Sequence, residues 1–364
     1  MKRIKVLALV AEAYGSGGGI AQFNRHLLDT LAAIPELEVT ALGLYGARDS
    51  GEPPGLRWSA PARGGKAGYA LGSAAVALRV RPHLIISGLI GFGGIALPLK
   101  LVHRSRLWSV LHGWEAWSPR RWADNEGLRR SEMVTTVSRY TRSRLLDWCA
   151  VPPERVKLLP NTIDLERFKP GPRPRDLERK YGVEGKKVLL TIGRLAAIDR
   201  YKGQDRVIPL MPELNRAAGP VHYIIAGDGD DRPRLEELVR STGTESFVTF
   251  AGFVSDEEIE DLYRLADAFV MPSTGEGFGI VYLEAMVCGC PVIAGDRDGS
   301  VDALADGELG RLIDPESPQQ LLEAILATLA EGRRHDARIA GVERFSLPHF
   351  RRRVAELVDH VRGS

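Results

Sequence analysis

The chain has 364 residues, of which 44% are hydrophobic and 26% are charged, and its formal net charge is +2. This length is sufficient for two buried cores, and the composition is that of a soluble globular protein. No apolar run approaches the ~20 residues that span a bilayer, and the N-terminal apolar run is too short for a secretory signal. We therefore expect a cytoplasmic protein of two domains, in which Cys149, Cys288 and Cys290 are small buried residues.

The first half of the chain alternates strand and helix patterns. Residues 4–13 form an apolar run typical of a buried parallel strand, residues 15–19 a glycine-rich turn, and residues 20–34 carry apolar side chains at helical spacing. Further strand candidates follow at residues 37–46, 83–89, 106–113, 133–138 and 156–164. This order predicts a doubly wound domain over residues 1–169.

The second half repeats the alternation. Residues 170–187 interrupt it with prolines, glycines and charges, so we place a hinge there. A second doubly wound domain is predicted over residues 188–345, and residues 346–364 form an amphipathic, basic helix. The strand candidates of this domain are residues 188–195, 221–229, 247–254, 268–273 and 291–295. The predicted fold class is α/β with two Rossmann-like domains.

The most informative motif is PSTGEGFGIVYLEAMVCGCP at residues 272–291. Its glycines permit close approach of a ligand, and a helix that opens there offers the backbone N–H groups of Phe278, Gly279 and Ile280. Glu276 and Glu284 lie about two helical turns apart and can reach one ligand from different heights. The motif predicts a site for phosphate or sugar oxygens, although two glutamates and three glycines also suit a solvated helix start.

The glycines at residues 15–19 do not fit a dinucleotide fingerprint. The pattern GxGxxG would require glycine at Ile20 or at Gln22. No acidic residue ends the strand at residues 37–46, where a ribose-binding carboxylate would be expected. An NAD-dependent oxidoreductase is therefore disfavoured, and this loop either approaches a ligand or is a tight packing turn.

The string EGFGIVYLEA resembles the E-x7-E motif of the retaining glycosyltransferases of family 4, which have the GT-B fold of two Rossmann-like domains facing a cleft. Other parts of the family pattern occur in the expected order along the chain. His112 stands before a glycine, and Arg194 and Lys202 match an R...K pair. The resemblance implies a nucleotide-sugar donor, no metal and no cofactor. It also implies that the terminal helix crosses back to the first domain, although a simple surface helix fits the same amphipathic pattern.

The resemblance assigns roles to individual residues. The catalytic set is His112 at the transferred sugar, Arg194 and Lys202 at the leaving phosphate, and Glu276 at a sugar hydroxyl. Retention arises either by a front-face route or by a covalent intermediate on Glu276, and the sequence leaves both open. Glu115 could orient His112 or contact an acceptor. Donor-binding roles fall on Gly17, Gly18, Gly19, Phe253, Val254, Gly277, Phe278, Gly279, Ile280 and Glu284.

Two segments depart from the expected pattern. Asp228, Asp230 and Asp231 superficially suggest a carboxylate metal site, but aspartates after a strand are common turn formers. Asp298 precedes Gly299 where the family often has two glycines followed by an acid, and Asp302 would be that acid. The segment at residues 196–200 is slightly long, which leaves the reach of Lys202 open.

The two halves differ in charge. Residues 1–165 contain 22 Lys and Arg against 13 Asp and Glu, whereas residues 166–364 contain 27 against 34. All six tryptophans lie in the first half, and four of them stand among arginines at residues 104–130. Interfacial Trp with Arg suits contact with an anionic leaflet or a lipid-linked acceptor, and core tryptophans beneath a solvated basic face fit as well.

Together these features predict a metal-independent hexosyltransferase of surface-polysaccharide, lipopolysaccharide or glycolipid assembly. GDP-mannose is the first choice of donor and a UDP-hexose the second. The acceptor would be a lipid-linked saccharide at the inner face of the plasma membrane, with no nucleic-acid partner. The alternatives are a nucleotide-sugar epimerase of the same fold, which needs no acceptor, and a binding protein descended from an enzyme, against which the intact Arg194, Lys202, Glu276 and Glu284 set argues.

Overall fold

The computed structural model describes residues 3–14, 17–45, 53–59, 65–255, 257–333 and 335–363. The chain divides into two compact units. Unit 1 comprises residues 1–162 and 347–364, and unit 2 comprises residues 163–346. Each unit is built on one parallel sheet with helices between its strands.

Unit 1 contains a seven-stranded sheet in the order β3-β2-β1-β4-β5-β6-β7. The central strand β1 is an apolar run whose last five residues, Val6 to Val10, are fully buried, as expected for a parallel strand covered on both faces. The strands are β1 Ile4–Val10, β2 Leu37–Gly43, β3 Leu56–Ser59, β4 Leu84–Ser87, β5 Arg106–Leu111, β6 Met133–Thr136 and β7 Val156–Leu158. The helices in this part are α1 Gly19–Ala32, α2 Gly65–Val80, α3 Gly93–His103, α4 Trp122–Arg129 and α5 Arg139–Leu146.

Unit 2 contains a six-stranded sheet in the order β10-β9-β8-β11-β12-β13. The strand order reverses between β8 and β11, and in open α/β sheets ligands bind beyond the carboxyl ends of the strands at this point. The strands are β8 Lys187–Ile192, β9 Val221–Ala226, β10 Val248–Gly252, β11 Ala268–Met271, β12 Val292–Gly295 and β13 Arg311–Ile313. The helices are α6 Arg175–Tyr181, α7 Gln204–Val207, α8 Met211–Ala218, α9 Arg232–Ser241, α10 Ile259–Leu265, α11 Ile280–Val287, α12 Ser300–Ala303 and α13 Pro318–Glu331.

Each strand predicted from the sequence appears, within its predicted range except that β8 begins one residue earlier, at Lys187, and two further strands were missed. Strand β3 has four residues and pairs only with β2 at one edge of its sheet. Strand β13 has three residues and pairs only with β12. Such short edge strands carry too few residues for a recognisable hydrophobic period.

The predicted hinge at residues 170–187 is wrong. The units divide between Thr162 and Ile163 instead, and α6 occupies the middle of the predicted hinge. Arg173 fixes this segment to unit 2, because its guanidinium forms an ion pair of 2.8 Å with Asp267. The prolines that suggested a linker lead into the helix start, which tolerates proline because its first N–H groups have no intrahelical partner.

The terminal helix α14, Leu347–Gly363, belongs to unit 1. Its buried Phe350 packs edge-on against Phe23 of α1, with ring centroids 5.7 Å apart. The chain therefore leaves unit 1 after β7 and completes it with its final helix. Across the described ranges, no helix combines the length and hydrophobicity required to cross a bilayer.

Candidate functional site

Two loops of unit 2 meet beyond the carboxyl ends of β8 and β11. The β8 loop comprises residues 193–203, and the β11 loop comprises residues 272–279. Their backbones touch, since the Thr274 N–H donates to the Tyr201 carbonyl at 2.9 Å. A Cβ on Gly275 would lie 2.7 Å from the Tyr201 ring, so only glycine fits there. This contact places the side chains of both loops at the point where the sheet order reverses.

Lys202 and Glu276 form an ion pair between these loops. The Lys202 ammonium Nζ donates to Glu276 Oε1, and only 12% and 13% of the two side chains are exposed. The methylene stem of Lys202 runs along Gly193, where an added Cβ would lie 3.2 Å from Lys202 Cδ and Cε. The Tyr201 ring centroid lies 5.2 Å from Nζ. The reach of Lys202, which the sequence left open, therefore extends to Glu276.

Arg194 differs from Lys202 in its exposure. Its side chain is 76% exposed, and its guanidinium forms an ion pair of 3.0 Å with the buried Asp199. An exposed guanidinium of this kind can bind a phosphate and keep its ion pair with Asp199, because it carries five N–H donors.

Asp298 fixes the conformation of the β11 loop through hydrogen bonds to its carboxylate. Its buried carboxylate accepts hydrogen bonds from the backbone N–H of Glu276 at 2.7 Å, from Ser273 Oγ at 2.7 Å and from the Ser300 N–H at 2.9 Å. Burial raises the pKa of Asp298, and these three donors oppose that shift. The sequence pattern had singled out Asp302 as the acid of this segment, whereas the side chain that orders the loop is Asp298.

Gly299 allows the segment after β12 to lie directly against the β11 loop. Its N–H donates to the Glu276 carbonyl at 2.9 Å. A Cβ on Gly299 would lie 2.0 Å from the Gly277 carbonyl oxygen, a distance that no side chain can occupy. The backbone of Glu276 is thus held through both its N–H and its carbonyl.

Helix α11 begins later than predicted, at Ile280, so Phe278 and Gly279 precede it. Gly279 has a φ of 86°, which favours glycine, and the buried Phe278 packs against Phe345 with ring centroids 5.5 Å apart. No described residue accepts a hydrogen bond from the N–H groups of Phe278, Gly279 or Ile280. These donors therefore remain available at the start of the helix, next to Gly277.

Glu284 lies on α11 and is 7% exposed. The hydroxyl of Tyr263, on α10, donates to Glu284 Oε2 at 2.8 Å. Burial raises the pKa of Tyr263 well above its usual value, so this hydroxyl stays a donor. Sequence reasoning missed Tyr263, because a tyrosine at helical spacing reads as a core residue.

Phe253 and Val254 follow β10, which is the edge strand of the sheet and lies two strands from β8. Phe253 is 85% exposed, and Val254 is half-buried. The structure does not bring their side chains to the Lys202–Glu276 pair. Their predicted donor-binding role stays a prediction.

His112 lies in unit 1, directly after β5. Its Nε2 lies 3.0 Å from the Gly88 carbonyl, which can only accept, so Nε2 carries the proton and Nδ1 keeps its lone pair. The backbone N–H of His112 donates to Glu115 Oε1 at 2.5 Å, and the ring stacks edge-on with Phe23 at 5.0 Å. Burial lowers the pKa of His112, which the nearby Glu115 charge partly offsets. The imidazole is therefore neutral near pH 7.

Three glycines precede or open α1 in unit 1. Gly18 has a φ of 104°, and Gly19 is the first helical residue. A Cβ on Gly17 or Gly18 would meet no atom of the described residues within 4 Å. Gly15, which begins the predicted loop, lies outside the described residues.

The three aspartates after β9 are engaged in the turn. Asp231 is 3% exposed and pairs with Arg200 and Arg234, each at 2.7 Å. The carboxylates of Asp228 and Asp230 accept backbone N–H groups at 2.9 and 2.7 Å. Within the ranges that the structure describes, no group of three or more His, Cys, Asp or Glu side chains could hold a metal ion.

Two sequence families match the chain, one on each half. Residues 17–167 match "Glycosyltransferase Family 4", and residues 174–343 match "Glycosyl transferases group 1". The GDP-mannose-dependent alpha-(1-6)-phosphatidylinositol monomannoside mannosyltransferase of Mycolicibacterium smegmatis is 32% identical over 292 residues, which cover 74% of this chain and 75% of that protein. Alpha-D-kanosaminyltransferase of Streptomyces kanamyceticus is 31% identical over 208 residues, 56% of this chain and 53% of that protein.

Solved structures with the same fold match nearly the full length of the chain. Sucrose-phosphate synthase from Thermosynechococcus elongatus superposes with a TM-score of 0.80 at 21% identity, covering 99% of this chain and 100% of that one. Anabaena HepE in complex with UDP and glucose gives a TM-score of 0.76 at 22% identity, covering 98% of this chain and 100% of that one. The predicted pair of Rossmann-like domains of GT-B type is confirmed.

Proposed function

Since the chain belongs to glycosyltransferase family 4, we propose that it transfers mannose from GDP-mannose, with retention, to a lipid-linked saccharide or glycolipid acceptor. The observation that carries the donor site is the meeting of the β8 and β11 loops. These loops carry a nearly buried Lys202, an exposed Arg194 and the N–H groups before and at the start of α11, and these groups suit the diphosphate of a nucleotide sugar.

Each of these groups suits a different part of the donor. Arg194 and Lys202 would neutralise the leaving phosphate, and fixed positive groups need no rearrangement as its charge develops. Glu276, with its backbone held by Asp298, would accept a hydrogen bond from a sugar hydroxyl. Glu284, oriented by Tyr263, would accept hydrogen bonds from the ribose. The neutral His112 would contact the transferred sugar through its Nδ1.

Mannose and a lipid acceptor are proposed from the relatives. The mycobacterial proteins at 31–32% identity over 292 residues carry GDP-mannose and a phosphatidylinositol monomannoside in their names. The test is a thermal-shift panel of GDP-mannose, UDP-glucose and ADP-glucose. A donor at 100 times its dissociation constant adds roughly 2.7 kcal/mol to the free energy of unfolding. Stabilisation by UDP-glucose and none by GDP-mannose would contradict the proposed donor.

We also propose that transfer requires no metal ion. Arg194 and Lys202 supply the positive charge that a metal would otherwise provide. Turnover is therefore expected to persist in excess EDTA. Loss of turnover on chelation, with recovery on adding Mn²⁺ or Mg²⁺, would contradict this and direct attention to the turn at residues 228–231.

Contact with an anionic membrane is proposed for the surface of α2, α3 and α4, and it gives the enzyme access to a lipid acceptor. Of the six tryptophans, Trp114 and Trp122 are 51% and 74% exposed, whereas Trp108 is fully buried in the core. Further apolar side chains are exposed on α2 and α3, namely Leu71, Leu78, Leu101 and Val102. Exposed arginines also lie on these helices or within two residues of their ends, namely Arg79, Arg81, Arg104, Arg121, Arg129 and Arg130.

The membrane test compares sedimentation with anionic and neutral vesicles at low and high salt. A variant with Arg121→Ser, Trp122→Ser and Arg129→Ser is expected to bind anionic vesicles much less than the parent, because each basic group near the surface contributes about 1 kcal/mol. Arg120 is left unchanged, since it stacks on Trp114 and holds the local backbone.

The control for this test removes charge from unit 2 through Arg179→Ser and Arg240→Ser, which are also exposed. This control should bind vesicles as the parent does. Equal binding by parent and Trp122 variant would remove α4 from the interface, and binding by neither would favour a soluble acceptor.

A further inference from the structure

We propose that the Lys202–Glu276 ion pair makes the donor site select an intact nucleotide sugar over the nucleoside diphosphate left after transfer. This inference rests on the proposed function and adds a specificity that the assigned roles alone do not contain. Lys202 is already paired with the residue that would bind the sugar, so the sugar governs whether Lys202 reaches the phosphate.

The pair is nearly enclosed and fixed in place. The two side chains are only 12% and 13% exposed, so water compensates little for the loss of either partner. The Lys202 stem lies against Gly193. The backbone of Glu276 is held by the Asp298 carboxylate at 2.7 Å and by the Gly299 N–H at 2.9 Å. Neither partner can leave without breaking the other's main interaction.

A nucleoside diphosphate without a sugar binds weakly next to this ion pair, because one charged group loses a favourable interaction in either arrangement. If its phosphate takes Lys202, the carboxylate of Glu276 remains nearly buried and unpaired. If Lys202 stays with Glu276, the phosphate lies near a carboxylate and loses a charge-assisted hydrogen bond. The diphosphate then depends on the exposed Arg194 and on the N–H groups before and at the start of α11.

A nucleotide sugar removes this conflict. A sugar hydroxyl can donate to Glu276 in place of the Lys202 ammonium, and Lys202 is then free to bind the phosphate. Every charged group keeps a partner in this exchange. Once the sugar has been transferred, Glu276 regains Lys202, and the remaining diphosphate is bound less tightly. The same pair therefore favours donor entry and product release.

The test measures dissociation constants by calorimetry for GDP and GDP-mannose, and for UDP and UDP-glucose, with EDTA present. In Glu276→Gln the ion pair is lost, because the neutral amide oxygen offers Lys202 only a weaker hydrogen bond. This variant is expected to bind the diphosphate about tenfold more tightly than the parent and the nucleotide sugar about tenfold more weakly. The preference between the two ligands thus reverses. Unchanged or weaker binding of the diphosphate by the folded variant would overturn the proposal.

Two further variants locate the effect. Glu284→Gln removes the second carboxylate of the motif, which accepts a hydrogen bond from Tyr263, and it should weaken both ligands in parallel. Lys202→Met combined with Glu276→Gln should abolish the tighter binding of the diphosphate, because that gain comes through Lys202. Retention of the gain in the double variant would overturn the proposal.

A second measurement applies if Glu276→Gln does not fold. Lys202→Met alone should weaken the nucleotide sugar more than the diphosphate, since the pair withholds Lys202 from the latter. Equal weakening of both would overturn the proposal while leaving the donor site intact. A parent protein that binds none of the four ligands would instead remove the proposed function together with this inference.

Discussion

Replacing Gly299 by alanine tests whether the close approach of two backbones sets the position of Glu276. The added Cβ would lie 2.0 Å from the Gly277 carbonyl oxygen and 2.9 Å from the Glu276 carbonyl oxygen. Since carbon and oxygen normally approach to about 3.3 Å, the segments must separate by roughly 1.3 Å. The φ of Gly299 is −67°, so backbone strain does not contribute, and the effect is purely steric.

The expected cost has two parts. Overpacking of this kind lowers the free energy of unfolding by about 1–3 kcal/mol, which corresponds to a fall of roughly 2–12 °C in the Tm of a unit of this size. A displacement of about 1 Å at a group that positions the sugar should also reduce turnover about 10²-fold. The measurements are calorimetric melting, and turnover with the donor identified by the thermal-shift panel.

A matched control separates this effect from a general cost of alanine. Gly72 lies within α2, and a Cβ there would meet nothing within 4 Å. Gly72→Ala should keep full activity and raise the stability by up to about 1 kcal/mol, because alanine favours helix. A Gly299→Ala protein with the parent's Tm and turnover would refute the reasoning, since the two segments would then not be in contact in solution.

Three further outcomes are expected from single substitutions. Lys202→Ala should lower turnover about 10²–10³-fold if Lys202 stabilises the leaving phosphate, and a loss below tenfold in a folded variant would exclude that role. Tyr263→Phe should reduce the preference for a ribonucleotide over its dideoxy analogue severalfold, as measured by calorimetry, because Glu284 loses the hydroxyl that orients it. An unchanged preference would mean that Glu284 does not depend on this hydrogen bond. Burial lowers the pKa of His222 to about 4. Between pH 6.5 and pH 4 the histidine is therefore protonated in the unfolded chain and neutral in the folded chain. Stability should therefore decline across that window by on the order of 2 kcal/mol, and His222→Gln should flatten the decline in melts between pH 7 and 4; the same slope in both proteins would assign it to other groups.

Much of the architecture follows from the sequence because parallel strands buried on both faces are continuous apolar runs. The runs at β1 and β8 were recognisable for that reason, and their order with the intervening helices led to two doubly wound domains. The hinge was misplaced because a run of prolines marks the start of a helix as well as a linker. Local sequence does not reveal that Arg173 reaches Asp267, so it could not assign that segment to unit 2.

The candidate site was predicted in outline but not in its internal contacts. The motif supplied Glu276 and Glu284, and the family resemblance supplied Arg194 and Lys202. That Lys202 bonds to Glu276, 74 residues away in the chain, depends on the adjacency of β8 and β11. The role of Asp298 was missed because its three hydrogen-bond donors come from the backbone and from serines, which carry no recognisable pattern. A carboxylate that stands three residues after a buried strand and directly before a glycine would have been the available signal.

The assignment of α14 to unit 1 bears on how the protein folds as it is synthesised. Residues 163–346 form a continuous unit that can fold once they have left the ribosome, whereas unit 1 is interrupted and lacks its last helix until then. At roughly 5–20 residues per second, synthesis of this insertion occupies on the order of 10–40 s. During that interval Phe350 has not been synthesised, so the apolar face of α1 that includes Phe23 remains uncovered. All of unit 2 is therefore synthesised before unit 1 is complete. The exposed apolar face of the incomplete unit 1 is the part of the nascent chain to which a chaperone would bind.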